Sequence, residues 1–66
     1  MKRRDLLRMI RNFGCVLVRE GAEHSIWENP NTGRRASIPR HREINDYTAR
    51  RIVEQLGGAA GAADLP

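Results

Sequence analysis

The chain has little cysteine, few aromatic residues and no long apolar run. One cysteine, Cys15, excludes an internal disulfide framework and favours a reducing compartment, so we predict a cytoplasmic protein. The longest apolar run, at positions 15–18, has four residues, too few for a signal peptide or a membrane span. With one Trp, one Tyr and one Phe, the core must consist mainly of Leu, Ile, Val and Ala.

The chain is also short. Its 66 residues predict a single domain over positions 1–57, followed by a Gly/Ala-rich tail at 58–66 that lacks periodicity and is predicted to be disordered. A chain of this length buries only roughly 60% of the surface exposed by its unfolded form. We therefore expect a functional site on an open sheet face or a loop rather than in a deep pocket.

Acidic residues are the minority, with 8 against 12 basic ones and a formal charge of +4, and eleven of the twelve bases are arginine. Positions 1–13 carry five cations and one acid, positions 14–33 one cation and three acids, and positions 34–42 four arginines and no acid. Arginine's planar fork binds phosphate oxygens in pairs. The separation into two basic blocks favours a nucleic-acid partner over a merely solvated surface.

Apolar spacing predicts two amphipathic helices, because the i, i+3, i+4, i+7 pattern occurs twice. The first helix covers about positions 3–12, and Gly14 ends it in a left-handed conformation. The second is capped by Asn45 or Asp46 and ends at a pair of glycines. The apolar stripes are Leu6, Met9, Ile10 and Phe13 in the first helix, and Ala49, Ile52, Val53 and Leu56 in the second.

Strands are predicted between the helices. Positions 15–19 are apolar and β-branched between glycines, which predicts a strand buried on both faces or nearly so. Gly21 then permits a tight turn. Positions 23–29 roughly alternate between polar and apolar residues and predict a second strand, with Ile26 and Trp27 on opposite faces.

A run of turn-forming residues at 29–33 and the third strand at 34–38, which Pro39 ends, complete a meander. The predicted fold is α+β in the order α-β-β-β-α, a three-stranded antiparallel sheet with two helices on one face and the other face open. This is the order of double-stranded RNA-binding domains, although fold alone does not establish function.

The sequence offers few groups for chemistry. Histidine is the side chain whose ordinary pKa lies nearest neutral pH, and a neutral histidine can take the proton from a ribose 2′-hydroxyl while arginines stabilise the phosphoryl charge. His24, after the glycine turn, is either such a base or an ordinary exposed strand residue. His41, in an arginine-flanked loop, is a phosphate contact or simply exposed, and Trp27 either stacks on a base or belongs to the core. The two histidines, with no cluster of Cys or Asp, match no metal-ligand spacing.

Several short pieces occur in an order and spacing that resemble the HicA family of toxins from bacterial toxin–antitoxin pairs. They are Phe13-Gly14, the strand at 15–19, the stretch Gly21-Ala22-Glu23-His24-Ser25-Ile26-Trp27, Asn29-Pro30, Ile38-Pro39-Arg40-His41 and positions 48–52. Ala22 and Glu23 depart from the Gly-Ser or Gly-Asp common in the family, and Glu23 can repel RNA phosphate. Tyr47 stands where a small glycine usually opens the last helix.

The resemblance implies a ribonuclease that cuts mRNA, with the double-stranded RNA-binding fold, His24 as the catalytic residue and a HicB antitoxin that covers the toxin and blocks its site. No cofactor or metal is implied. A non-catalytic RNA-binding module and a subunit that binds an acidic protein stay open as alternatives. The expected RNA contacts are Arg4, Arg8, Arg34, Arg35, Arg40, His41 and Arg42, with Trp27 as the residue for base stacking.

Overall fold

A computed structural model describes residues 1–57 of the chain. The elements are α1 (Arg3–Asn12), β1 (Val16–Glu20), β2 (His24–Asn29), β3 (Arg34–Pro39) and α2 (Asp46–Gln55). This order and the antiparallel sheet confirm the predicted α+β fold. The tail predicted at 58–66 lies outside the described residues. In the part described, no helix combines the length and the apolarity needed to cross a membrane.

The helix boundaries follow from local chemistry. Gly14, after α1, has a φ of 92°, which is the left-handed conformation expected of a glycine at a helix end. The Asn45 side chain accepts a hydrogen bond of 2.8 Å from the backbone N–H of Tyr47 and so caps α2. Both apolar stripes face the core, which consists of Leu6, Ile10, Cys15, Trp27, Ala36, Ile38, Ile44, Ala49, Ile52, Val53 and Leu56.

The sheet has the order β1-β2-β3, with β2 in the middle. Residues paired directly across an antiparallel sheet share a face, and the buried pairs Ser25 with Ile38 and Trp27 with Ala36 define the face that packs on the helices. We call this the helix face. The opposite face, which carries His24, is the open face.

β1 contradicts the prediction of a strand buried on both faces. Val16, Leu17 and Val18 keep 49%, 45% and 42% of their surface exposed. Within residues 1–57, β1 is an edge strand that pairs only with β2, whereas α2 packs against β3, at the opposite edge of the sheet. A continuous apolar run therefore does not by itself tell a covered strand from an edge that extends beyond the helices.

Candidate active site

A tight turn between β1 and β2 presents His24, which is the first residue of β2 and is exposed. The backbone N–H of Gly21 donates a hydrogen bond of 2.7 Å to the His24 carbonyl oxygen. A Cβ atom at position 21 would lie 2.9 Å from that oxygen. Glycine is therefore required here for close backbone approach, and its φ is not positive.

A buried hydroxyl fixes the backbone immediately after His24. Ser25 is fully buried; its Oγ accepts a hydrogen bond of 2.9 Å from Nη2 of Arg3 and donates one of 2.7 Å to Oε1 of Glu20. Arg3 also donates from Nε to the Pro39 carbonyl oxygen at 2.8 Å. These contacts join the start of α1 to both strands beside His24. The sequence signal for them is weak, a polar residue at an inward position of an alternating strand.

Arg40 completes this network from the end of β3. Its guanidinium forms an ion pair with Glu20 and donates to the Gly21 carbonyl oxygen at 2.9 Å, while its backbone N–H donates to the Glu23 carbonyl oxygen at 3.2 Å. The hydrogen bond from Ser25 is the main cause that holds the pKa of the Glu20 carboxyl below its ordinary value, and the hydrogen bond from Arg40 is the next. Arg40 thus braces both ends of the turn that carries His24.

A cationic cleft, which we call the basic groove, runs between the start of α1 and the segment after β3. It has a volume of about 540 Å³, and the backbone N–H of Arg3 donates to the Arg42 carbonyl oxygen at 2.9 Å, joining its walls. Because Arg40 lines the groove and also donates to the backbone of the His24 turn, the two features lie next to each other. The groove is lined by Lys2, Arg3, Arg4, Leu7, Arg40, Arg42 and Glu43.

The groove brings together three of the predicted RNA contacts, Arg4, Arg40 and Arg42, and leaves the others elsewhere. Arg8 lies on the exposed side of α1 beside an aspartate one turn earlier, at 3.9 Å.

The predicted contacts on and after β3 are also separated. Arg34 begins β3, at the end of the strand away from Arg40. Arg35 forms an ion pair of 2.6 Å with Glu28. His41 is exposed but does not line the groove.

Trp27 lies in the core, with 4% of its surface exposed. The guanidinium carbon of Arg11 is 5.2 Å from the ring centroid, close enough for a cation–π contact. The ring therefore has no free face on which a nucleobase could stack. Of the two roles open to Trp27 from the sequence, the structure agrees with the one in the core.

Two other chemical possibilities concern thiol and metal chemistry. Cys15 is free and buried, and burial raises the pKa of its thiol, which disfavours the reactive thiolate. Among residues 1–57, no group of three or more His, Cys, Asp or Glu side chains is placed to hold a metal ion. His24 and the basic groove are thus the features on which a functional hypothesis can be based.

Fold and site together define a small α+β protein of the double-stranded RNA-binding-domain type, with an exposed histidine next to a basic groove. No curated protein and no solved structure matches the chain. The family model described as the HicA toxin of bacterial toxin-antitoxin matches residues 3–57, a range that contains α1, the three strands of the sheet and α2. The chain belongs to the HicA toxin family and is a toxin of a toxin–antitoxin system.

Proposed function

We propose that this toxin is a metal-independent endoribonuclease that cleaves mRNA in the cytoplasm, with His24 as its catalytic residue. The observation that carries the proposal is the position of His24, exposed on a turn that shares Arg40 with the basic groove. An imidazole next to a row of cations suits a phosphodiester, because the cations hold the backbone while the imidazole moves a proton.

In the proposed reaction His24 takes the proton from a ribose 2′-hydroxyl, and the 2′-oxygen attacks the adjacent phosphorus. The bond from phosphorus to the 5′-oxygen breaks, and that oxygen takes a proton from water and leaves as a hydroxyl. The hydroxide that remains accepts the proton held by His24, which restores the neutral imidazole. The products are a 2′,3′-cyclic phosphate and a 5′-hydroxyl, with no oxidant, reductant or metal required. A substrate without the 2′-hydroxyl has no nucleophile and stays intact.

The basic groove would bind the phosphates that flank the cleaved bond. Arg4 and Arg42 have no side-chain partner among residues 1–57, so their donors are available to RNA. Arg8, Arg34, Arg35 and His41 lie on other surfaces, and we expect each of them to contribute less than a groove residue.

We further propose that a HicB-like antitoxin neutralises the toxin by covering the His24 turn and the groove. Complementary charge would favour an acidic antitoxin surface. Binding there blocks RNA without any change in the toxin fold.

The deciding experiment incubates the purified toxin with end-labelled RNA and with the same RNA carrying a 2′-deoxy nucleotide at the cleaved position. We expect products with cyclic phosphate ends from the first substrate only, in the presence of a chelator as well as without it. His24→Ala should lower the cleavage rate by about 10² to 10⁴, the usual contribution of a general base. His41→Ala, which also removes an exposed imidazole, is the matched control and should stay within about threefold of wild type.

Cleavage by His24→Ala at the wild-type rate, with an unchanged circular dichroism spectrum, would contradict the proposal. The basic groove also suits a non-catalytic RNA-binding module. That alternative predicts salt-dependent binding of the labelled RNA but no shorter products from any variant.

A further inference from the structure

A second depression lies on the open face of the sheet, on the side of His24 away from the helices. It has a volume of about 460 Å³ and is bordered by Arg19, His24, Ile26, Ser37 and the turn at 21–23. The proposed function uses the imidazole at its edge but none of its other side chains. Among residues 1–57, Arg19 is the one cation that borders it.

A β-bulge brings Arg19 to this face. Leu17 pairs with Trp27 but Arg19 pairs with Ile26, so Val18 is an extra residue in β1. In an unbroken register, Val18 would oppose Ile26 and Arg19 would oppose Ser25, on the helix face. A shift of one residue reverses the face of every side chain that follows.

The same bulge moves the Glu20 side chain from the open face to the helix face. Without it, Glu20 would oppose His24 on the open face. With it, Glu20 opposes Ser25 on the helix face, and the hydrogen bond of 2.7 Å between Ser25 and Glu20 agrees with that placement. The bulge therefore replaces a carboxylate beside His24 with a guanidinium two residues away across the sheet.

Arg19 is within reach of a substrate held by His24. Ile26, its partner in the sheet, is two residues after His24 on the same face. Diagonal neighbours of this kind have Cα atoms about 7 to 8 Å apart, within the span of a long side chain. A phosphate group fits between an arginine and a histidine at that separation.

The Arg19 guanidinium is also available. It has no hydrogen bond or ion pair with any of residues 1–57, whereas Arg35, on the same face, is paired with Glu28. Within residues 1–57, the other charged side chain at the depression is Glu23. Its carboxylate repels an incoming phosphate, so a nearby cation is needed to offset that repulsion.

We propose that Arg19 is a further catalytic residue, which binds the non-bridging oxygens of the phosphate being cleaved and stabilises the charge that develops on them opposite His24. This rests on the proposed endoribonuclease activity. The planar fork of arginine supplies two parallel donors to two oxygens. A lysine carries the same charge without the fork and would therefore stabilise the phosphate only in part.

The test compares Arg19→Gln, Arg19→Lys and the matched control Arg34→Gln, which removes an exposed arginine at the far end of the sheet. Cleavage of a labelled RNA gives kcat and KM for each. Loss of a donor aimed at transition-state charge should lower kcat of Arg19→Gln by about 10² to 10³, with KM changed much less. Arg19→Lys should recover part of that loss, and Arg34→Gln should stay within about threefold of wild type in kcat.

The outcomes separate the two proposals. If His24→Ala is inactive but Arg19→Gln keeps the wild-type kcat, the role of Arg19 is refuted and the endoribonuclease activity stands. A loss in Arg34→Gln as large as in Arg19→Gln, or a change in KM alone, would also refute it, since either indicates general RNA binding. Absence of cleavage by the wild type would overturn the activity and this inference together.

Discussion

Replacing Gly21 by alanine should misplace His24 without removing it. The added Cβ would lie 2.9 Å from the His24 carbonyl oxygen, whereas ordinary contacts begin at 3.4 Å. The added Cβ is fixed to the backbone of position 21 and the atom it meets is the His24 backbone carbonyl oxygen, so no side-chain rotation can relieve the contact. The two atoms must separate by about 0.5 Å, and the hydrogen bond of 2.7 Å from the Gly21 N–H to the same oxygen must lengthen.

The expected cost can be worked from that shift. A displacement of about 1 Å at a catalytic group can cost about 10² in rate, so half of that distance should cost about tenfold, or about 1.4 kcal/mol of barrier. Overpacking of this kind also destabilises the fold by about 1 to 3 kcal/mol. For a domain of this size, each kcal/mol lowers Tm by about 4 to 8 °C.

Gly33→Ala is the control that separates misplacement from loss of stability. Gly33 has a φ of 73°, and a Cβ there would meet nothing within 4 Å. Alanine in that left-handed conformation costs about 1 to 2 kcal/mol, comparable to the cost at Gly21. It lies in the turn between β2 and β3, at the opposite end of β2 from His24.

The assay combines thermal unfolding with single-turnover RNA cleavage well below the lower Tm. Both variants should melt earlier than wild type, but only Gly21→Ala should cleave more slowly. A wild-type rate for Gly21→Ala, or an equal loss of rate in Gly33→Ala, would refute the claim that close backbone approach at position 21 positions His24.

Two further predictions concern polar contacts. The buried Asn29 amide donates to the Leu56 carbonyl oxygen at 2.9 Å; Asn29→Asp cannot donate and should lose about 1 to 3 kcal/mol of unfolding free energy in urea, and an unchanged urea midpoint would contradict this. Because the pKa of Glu20 is lowered in the folded state, chiefly by Ser25 and then Arg40, its contribution to stability is present above its ordinary value of 4.5 and is lost as pH falls through the lower folded-state pKa. Glu20→Gln should therefore lose less stability than wild type on acidification through that range in urea titrations, whereas parallel profiles would show that the carboxylate contributes nothing.

The two helices, β2 and β3 could be predicted because their signals are local. In α2, Ala49, Ile52, Val53 and Leu56 are all buried, as their spacing indicates. α1 spans Arg3–Asn12, the range that the apolar stripe and Gly14 predict. Alternation correctly places Ala36 and Ile38 on one face of β3, because period-two burial depends only on which side the core lies.

β1 could not be predicted in the same way. Its burial depends on how far the helices extend across the sheet, and its facing depends on an extra residue at Val18 that nothing in the apolar run marks. Arg19 was missed as a site residue for the same reason, because its face is decided by the bulge. Register is a property of two strands, and a single strand's sequence carries little information about it.

The basic blocks show how charge close in sequence differs from charge close in space. The four arginines at positions 34–42 look like one cationic surface, but two of them begin β3 and alternate between its faces, whereas the other two follow the end of the strand. Arg34 lies at the far hairpin, Arg35 is neutralised by Glu28, and only Arg40 and Arg42 reach the basic groove.

Meanwhile Arg19, alone among acids in the sequence, borders the same depression as His24 once the strands pair. In the proposed reaction, whether Arg19 and His24 can act on one phosphodiester is therefore decided by strand alternation and by the bulge. Substitutions at Arg19, Arg40 and Arg42 should consequently affect RNA cleavage more than substitutions at Arg34 and Arg35, although the last two belong to the densest basic segment of the chain.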